Sequence, residues 1–346
     1  MPLARAWSVA LFGVDGVAVE IEADIGGGRP RTQIVGLPDA SLNEAKERVR
    51  AAIRNSHEEW PGELVTLALS PAALPKGGSG YDLALACAVL AAADRVPPNM
   101  LTGMALIGEL ALDGRIRPVR GVLPGLLAAR RAGLTRAVVP AHTLSEAALV
   151  TGLDIRAADT LLEVLSWLRG ESDVLKRPEP RPPSATTTEI PDLADVLGQP
   201  EARWALEVAA AGGHHLLLTG PPGTGKTMLA KRLPGLLPPL TAEQALEVTA
   251  IHSIAGALSQ DSPLIITPPF VAPHHSTSVP ALVGGGVGLA KPGAVSQAHN
   301  GVLFMDESCD GLCNPDKDQS TRGNSSFHDH LDVCVAVWIG TRQTGL

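Results

Sequence analysis

The chain has 346 residues, enough for two domains of ordinary size, and its 45% hydrophobic and 18% charged content marks a soluble globular class. Its net charge of -8 is split as 17 Lys/Arg against 18 Asp/Glu over 1–170 and 11 against 18 over 171–346, which excludes a binder of nucleic acid by bulk charge. No apolar run reaches the roughly 20 residues of a bilayer span. The N-terminal run is broken by Gly13 and Asp15 and makes a poor signal peptide, so no membrane is involved and a cytoplasmic setting is expected.

Aromatics are only 3% of the chain, so the cores are built from Ala, Leu and Val, and few rings remain for stacking on bases. Residues 17–25, VAVEIEADI, alternate: Val17, Val19, Ile21, Ala23 and Ile25 share one face, and Glu20, Glu22 and Asp24 the other. That is a half-buried strand. Ser41-Leu-Asn-Glu44 reads as a capping box opening a helix to about Asn55, with Leu42, Ala45, Val49 and Ile53 as its apolar stripe. Strands follow at 65–70, 105–110 and 137–139, and helices at 82–93, 124–132 and 145–150. Thr160-x-x-Glu163 caps a last helix ending near Arg169. This alternation describes an α/β domain over residues 1–170.

Residues 171–191, ESDVLKRPEPRPPSATTTEIP, are proline-rich with almost no periodic apolar positions and read as a linker. A second domain starts at Asp192. Pro200 suits the first position of a helix to about Ala211, ended by Gly212 and Gly213, and His215–Thr219 is a short buried strand.

That strand leads into Gly220-Pro221-Pro222-Gly223-Thr224-Gly225-Lys226-Thr227, which fits G-x-x-x-x-G-K-[ST] at every fixed position. The glycines let backbone N–H groups turn toward phosphates. Lys226 would reach the β- and γ-phosphates, Thr227 would ligate Mg²⁺, and a helix over 226–233 would add its dipole. Eighty residues on, Gly301–Glu307 reads as a buried strand delivering two carboxylates. Asp306 would hold the Mg²⁺ shell through water, and Glu307 would polarise the attacking water. The cofactors expected are therefore ATP and Mg²⁺.

Between these segments lie His274 and His275, weak as metal ligands because adjacent histidines rarely share one ion in regular structure. Local hydrogen bonding and contact with a neighbouring subunit or polymer both remain open for them. Cys87, Cys309, Cys313 and Cys334 do not suggest a disulfide framework. The last three lie near His328 and His330, yet Cys309-x3-Cys313 is loose for zinc and lacks a second close pair, so incidental cysteines are expected.

Together, GQPEARWALEVAAAGGHHLLLTGPPGTGKTMLAKRLPGLLPPL, PPFVAPHHSTSVPALVGGG and PGAVSQAHNGVLFMDE resemble the competence protein ComM/YifB family, in the Mg-chelatase subunit I-like branch of AAA+ ATPases. The resemblance runs from residue 1 to about 307. It implies a ribosomal-S5-domain-2/Lon-protease-like domain followed by a P-loop AAA+ domain, self-association into a hexameric ring, and a role in DNA uptake and branch migration. Chelatase chemistry belongs to relatives with additional subunits. Pro75-Lys-Gly-Gly-Ser-Gly80 and Gly108–Pro118 resemble the segments around the Ser-Lys dyad of Lon-type proteases. In that alignment the nucleophile falls on Gly80 and the lysine on Gly125. Ser79 is one residue out of register, and no lysine occurs from 77 to 175, so an unactivated serine argues against a peptidase. An interaction or substrate-handling module is expected instead.

After Glu307 the family pattern stops. Residues 308–346 hold three basic residues, Lys317, Arg322 and Arg342, none in a recognisable arginine-finger or sensor context. The AAA+ core over 192–307 is therefore read as incomplete, and 308–346 as a divergent, non-homologous tail such as a frameshift product. By resemblance, the strand after the Asp-Glu strand lies between it and the P-loop strand. Leu331–Ile339 is the candidate replacement, and an open slot would leave backbone groups unpaired at about 1–3 kcal/mol each. Three functions follow: an ATP-driven motor on DNA, a nucleotide-binding remnant or regulator of full-length rings with little or no hydrolysis, and a metal-chelatase motor subunit.

Overall fold

The structure, a computed structural model, describes residues 3–72, 74, 76–178, 190–259, 263–274, 276–285, 291–305 and 335–339, with the backbone alone for Ser41 and 335–339. Two compact units result: residues 1–184, 249–264 and 286–291 in the first, and 185–248, 265–285 and 292–346 in the second.

The first unit is built on a seven-stranded mixed sheet. The N-terminal run, unassigned in the sequence reading, is strand β1 (Leu3–Phe12), and it forms a long antiparallel hairpin with β2 (Asp15–Gly26). Its two-residue turn needs the positive φ that Gly13 supplies, 60°. Then come β3 (Arg31–Val35), helix α1 (Ala40–Asn55), β4 (Leu64–Ser70) and α2 (Asp82–Ala92). The expected strand at 105–110 divides into β5 (Met104–Leu106) and β6 (Glu109–Leu110), and β6 pairs with β7 (Ile116–Arg117) as a separate hairpin. Next are α3 (Val122–Arg131), β8 (Arg136–Pro140), α4 (Leu144–Ala147), β9 (Asp154–Ala158) and α5 (Leu161–Leu168). Strand order is β3-β4-β2-β1-β5-β8-β9, antiparallel in the β4-β2-β1 meander and parallel elsewhere.

Small side chains on β1 let a helix approach closely. Ala4, Ala6, Ser8 and Ala10 are buried with α2, every residue of which is buried, while Val9 on the other face lies against α3. At the start of α1, Asp39 takes the place expected of Ser41, its Oδ1 accepting from Leu42 N at 2.7 Å. A second reason favours Asp39: its Oδ2 also accepts from Gly78 N, 3.2 Å away, so the cap is tied to a distant loop. The expected cap at Thr160 is present, with Glu163 N donating to its Oγ1 at 3.2 Å and Glu163 Oε2 accepting from Asp159 N at 2.8 Å. In the proline-rich stretch, Leu175 is buried and Lys176 exchanges backbone hydrogen bonds with Ala157, so those residues pack with the first unit.

The second unit contains α6 (Pro200–Gly212), β10 (Leu216–Leu218), α7 (Lys226–Ala230), α8 (Leu233–Leu236), the part of α9 (Ala242–Ala255) up to Val248, β11 (Phe270–Val271) and α10 (Val279–Val283). It continues with the short pair β12 (Gly284–Gly285) and β13 (Lys291–Pro292), then α11 (Ala294–Gln297), β14 (Val302–Met305) and β15 (Val335–Ile339). The helix expected over 226–233 is two pieces, and Pro234, which lacks an N–H, stands in the first turn of the second. The core holds Leu193, Leu206, Leu229, Leu233, Val302 and Phe304, with Phe270 and Phe304 stacked at 5.7 Å between ring centroids.

The sheet order is β10-β15-β14-β11. The slot that the sequence left open is therefore filled by Val335–Ile339, the described part of the candidate segment, and β15 runs antiparallel to both neighbours, with Leu218 opposite Val335 and Met305 opposite Ala336. Its ladder pairs the facing backbone groups of β10 and β14 and removes the cost of an unpaired slot.

Candidate functional site

Strand β10 ends at Leu218, and the chain passes into the glycine-rich loop through Thr219. Three glycines shape that loop: Gly220, Gly223 and Gly225 have φ of 149°, 83° and 88°. At Gly225 a side chain is doubly opposed, because an added Cβ would also lie 3.2 Å from Met228 Cε. Inside the loop, Thr224 Oγ1 donates to Pro221 O at 2.9 Å. Lys226 folds back over it, its Nζ donating to Gly220 O at 2.7 Å and Pro221 O at 2.9 Å, with Thr224 Oγ1 3.5 Å away. Pro221, Pro222, Gly223 and Thr224 are exposed, while Lys226 and Thr227 are half-buried at the start of α7. The ammonium thus rests on carbonyl oxygens at an open surface, where an anionic oxygen could replace them.

The end of β14 comes to the same edge of the sheet as the end of β10. Strand β10 and strand β14 run in the same direction, since each is antiparallel to β15. The residue after β14 is Asp306. Both Asp306 and Glu307 lie outside the described residues, as do His275, Cys309, Cys313, Cys334, His328 and His330. His274 accepts or donates locally, with Nδ1 2.7 Å from Ser276 Oγ. Among the described residues there is no group of three or more His, Cys, Asp and Glu that could hold a metal ion. Cys87 is buried, and desolvation pushes its thiol up to about 12. None of the described helices is long and apolar enough to cross a membrane.

The sequence reading missed one neighbour of the loop. Gln199 precedes α6 and its Nε2 donates to Thr224 O at 2.9 Å. A glutamine before a helix-initiating proline is a weak signal, since nothing local shows that the chain will return to it 25 residues later.

Comparison with known proteins agrees with these motifs in order and extent. Residues 192–311 match the family described as magnesium chelatase, subunit ChlI, and residues 21–143 match subunit ChlI of Mg-chelatase. A protein of Mycobacterium tuberculosis is 61% identical over 310 residues, covering 89% of this chain and 61% of that protein. YifB of Escherichia coli is 44% identical over 307 residues, and the competence protein ComM of Haemophilus influenzae is 42% identical over 311. Each of those two alignments covers 89% of this chain and 60% of the relative. The chain belongs to the ComM/YifB family. It spans about three-fifths of the length of these relatives.

In this ComM/YifB-family chain the first unit has the ribosomal-S5-domain-2/Lon-protease-like fold, and the second is the P-loop AAA+ part. A cavity of about 290 Å³ in the first unit is lined by both Gly80 and Gly125, together with Ser79, Tyr81, Ile107 and Glu109. Neither glycine has a positive φ, and an added Cβ meets nothing within 4 Å at Gly80 and makes only ordinary contacts at Gly125, with Ile107 Cδ1 at 3.5 Å and Val9 Cβ and Cγ1 at 3.8 Å. The two positions that the resemblance aligns with the Ser-Lys dyad of Lon-type proteases thus line one cavity, and neither carries a side chain. Ser79 Oγ hydrogen bonds to Glu109, whose carboxylate lies 3.6 Å from Arg117 Nη1. Lys76 offers no base, because it is 1% exposed and its Nζ donates to the carbonyls of Gly36, Pro71 and Leu74. Beside the cavity, Asp82 is fully buried and accepts from Arg48 Nε at 2.9 Å and Leu110 N at 3.2 Å. Burial pushes its carboxyl up to about 6 against the opposing pull of Arg48.

Proposed function

We propose that this chain binds ATP with Mg²⁺ through Gly220, Pro221, Pro222, Gly223, Thr224, Gly225, Lys226 and Thr227. The observation that supports this is the Lys226 ammonium resting on Gly220 O and Pro221 O over an exposed loop of positive-φ glycines. Phosphate oxygens are better acceptors for an ammonium than amide carbonyls, so the donor set fits the ligand. In this reading Lys226 grips the β- and γ-phosphates, Thr227 and Asp306 hold Mg²⁺, and Glu307 orients the attacking water. Mg-ATP supplies a phosphoanhydride and its counter-charge, and the chain supplies position and charge.

Binding with slow turnover is the reading preferred here. In the AAA+ sheet implied by the resemblance, the strand between the P-loop strand and the Asp-Glu strand is parallel and brings a polar sensor residue to the nucleotide edge. β15 is antiparallel, so Val335 at its amino end stands opposite Leu218 at that edge. The reading therefore describes a nucleotide-binding protein of the ComM/YifB family that acts in the cytoplasm through self-association, alone or within rings of longer copies. A second reading, an ATP-driven motor remodelling DNA, draws on the identity with the competence protein ComM; a metal-chelatase motor subunit draws on the chelatase family matches. Titration with a fluorescent ATP analogue, for the natural chain and Lys226→Ala, tests binding. Steady hydrolysis stimulated by added DNA would establish the second reading over the first.

A further inference from the structure

Gln199 stands in the left-handed region, φ 50° and ψ 50°, a costly conformation for a residue with a Cβ. Its side chain does not cap its own helix. Instead Nε2 reaches the Thr224 carbonyl at 2.9 Å and lies beside Gly225, where an added Cβ would be in ordinary contact with it at 3.5 Å. Asn, one methylene shorter, would fall short of the Thr224 carbonyl from this backbone position.

The consequence follows from peptide geometry. Thr224 C=O and Gly225 N–H belong to one planar unit, which is trans, so the two bonds point in opposite directions. An amide that draws the carbonyl toward α6 turns the Gly225 N–H away from α6. That N–H makes no hydrogen bond within the described residues. On the next residue, the Lys226 ammonium lies over the same loop.

We infer that Gln199 is a positioning residue of the nucleotide site: by holding the Thr224–Gly225 peptide plane, it presents the Gly225 N–H to a phosphate oxygen of a nucleoside di- or triphosphate. The inference rests on the nucleotide-binding reading above. A carbonyl facing the phosphate in place of an N–H would exchange an attraction for a repulsion, so the orientation of this one plane matters more than its single hydrogen bond suggests.

The test compares the natural chain with Gln199→Met, which keeps the length and removes the donor, and Gln199→Glu, which sets a carboxylate against the Thr224 carbonyl. Calorimetric titration would use ADP, inorganic pyrophosphate and adenosine, with the thermal midpoint of the ligand-free protein measured in parallel. Expected is a loss of about tenfold for ADP and pyrophosphate with Gln199→Met, a larger loss with Gln199→Glu, and unchanged adenosine binding and midpoint. Equal ADP affinity in the natural chain and Gln199→Met would overturn the inference and leave the nucleotide site standing. A fall in adenosine affinity as large as that for ADP would overturn it in favour of a purely structural contact. Failure of the natural chain to bind ADP at all would remove the nucleotide site itself.

Discussion

The chain carries two glycine-rich loops that each lead into a helix, Gly77–Gly80 before α2 and Gly220–Gly225 before α7, and each has a lysine next to it. Lys76 and Lys226 both donate to backbone carbonyls. The difference lies in what surrounds them. Lys76 is sealed in, with desolvation holding its ammonium below the ordinary lysine range, and its carbonyl cage is complete. Lys226 lies half-buried over an exposed loop, where its carbonyl partners can be exchanged for a ligand. The helices differ in the same sense. α2 begins with a buried carboxylate, Asp82, already held by Arg48, whereas α7 begins with the lysine itself. One loop has internalised its charges and become structure, and the other presents them.

The comparison would break first at Arg48. Arg48→Met leaves Asp82 buried without its cation, and a loss of about 3–5 kcal/mol is expected in urea unfolding at pH 8. Because the folded Asp82 carboxyl sits above its unfolded value, this group binds more protons folded than unfolded between about pH 4 and 6. Stability from it is therefore present at low pH and lost as pH rises through its folded value. The Arg48→Met penalty should accordingly be smaller at pH 5 than at pH 8, and an equal penalty at both would show that Asp82 does not titrate in this range.

Next in size is the contrast between the lysines. Lys76→Met should cost about 3 kcal/mol, since it strands buried carbonyls at Gly36, Pro71 and Leu74. Lys226→Ala should leave urea unfolding within about 0.5 kcal/mol of the natural chain while weakening ATP by about thirtyfold in a fluorescence titration. Reversed outcomes would mean that the burial argument assigns the two roles wrongly.

The smallest expected effect concerns the glycines. Gly125→Ala, inside α3 at negative φ with an ordinary 3.5 Å contact, should stabilise the protein by about 0.5–1 kcal/mol. Gly225→Ala, at φ 88°, should instead destabilise the loop and weaken ATP. A midpoint from thermal unfolding separates the two. Replacing Gly80 by Ser and Gly125 by Lys together offers a related check: both Cβ atoms fit, so any casein cleavage in that double variant and none in the natural chain would show that only the dyad side chains are missing.

Elements whose buried face is strongly apolar were readable from the residues alone. β2 is an example, with Val19, Ile21, Ala23 and Ile25 buried as the alternation requires, although Val17, near the hairpin turn, is exposed. β1 was not, because its buried face is Ala4, Ala6, Ser8 and Ala10, which have little hydrophobic contrast and no preference for a strand. The start of α1 moved from Ser41 to Asp39 for a related reason: both residues can cap, and the contact with Gly78 that accompanies Asp39 is 39 residues away.

The glycine-lysine-threonine loop and its place between a strand and a helix follow from sequence by itself, because positive-φ glycines and a phosphate-binding lysine are local chemistry. Only the tertiary structure decided that Lys76 is caged while Lys226 is open, that Gly80 and Gly125 share a cavity, and that Gln199 reaches Thr224. It also decided that Val335–Ile339 enters the sheet antiparallel between β10 and β14. Each of these depends on burial or on pairing across long separations, where the energy belongs to the contact and not to the residue type.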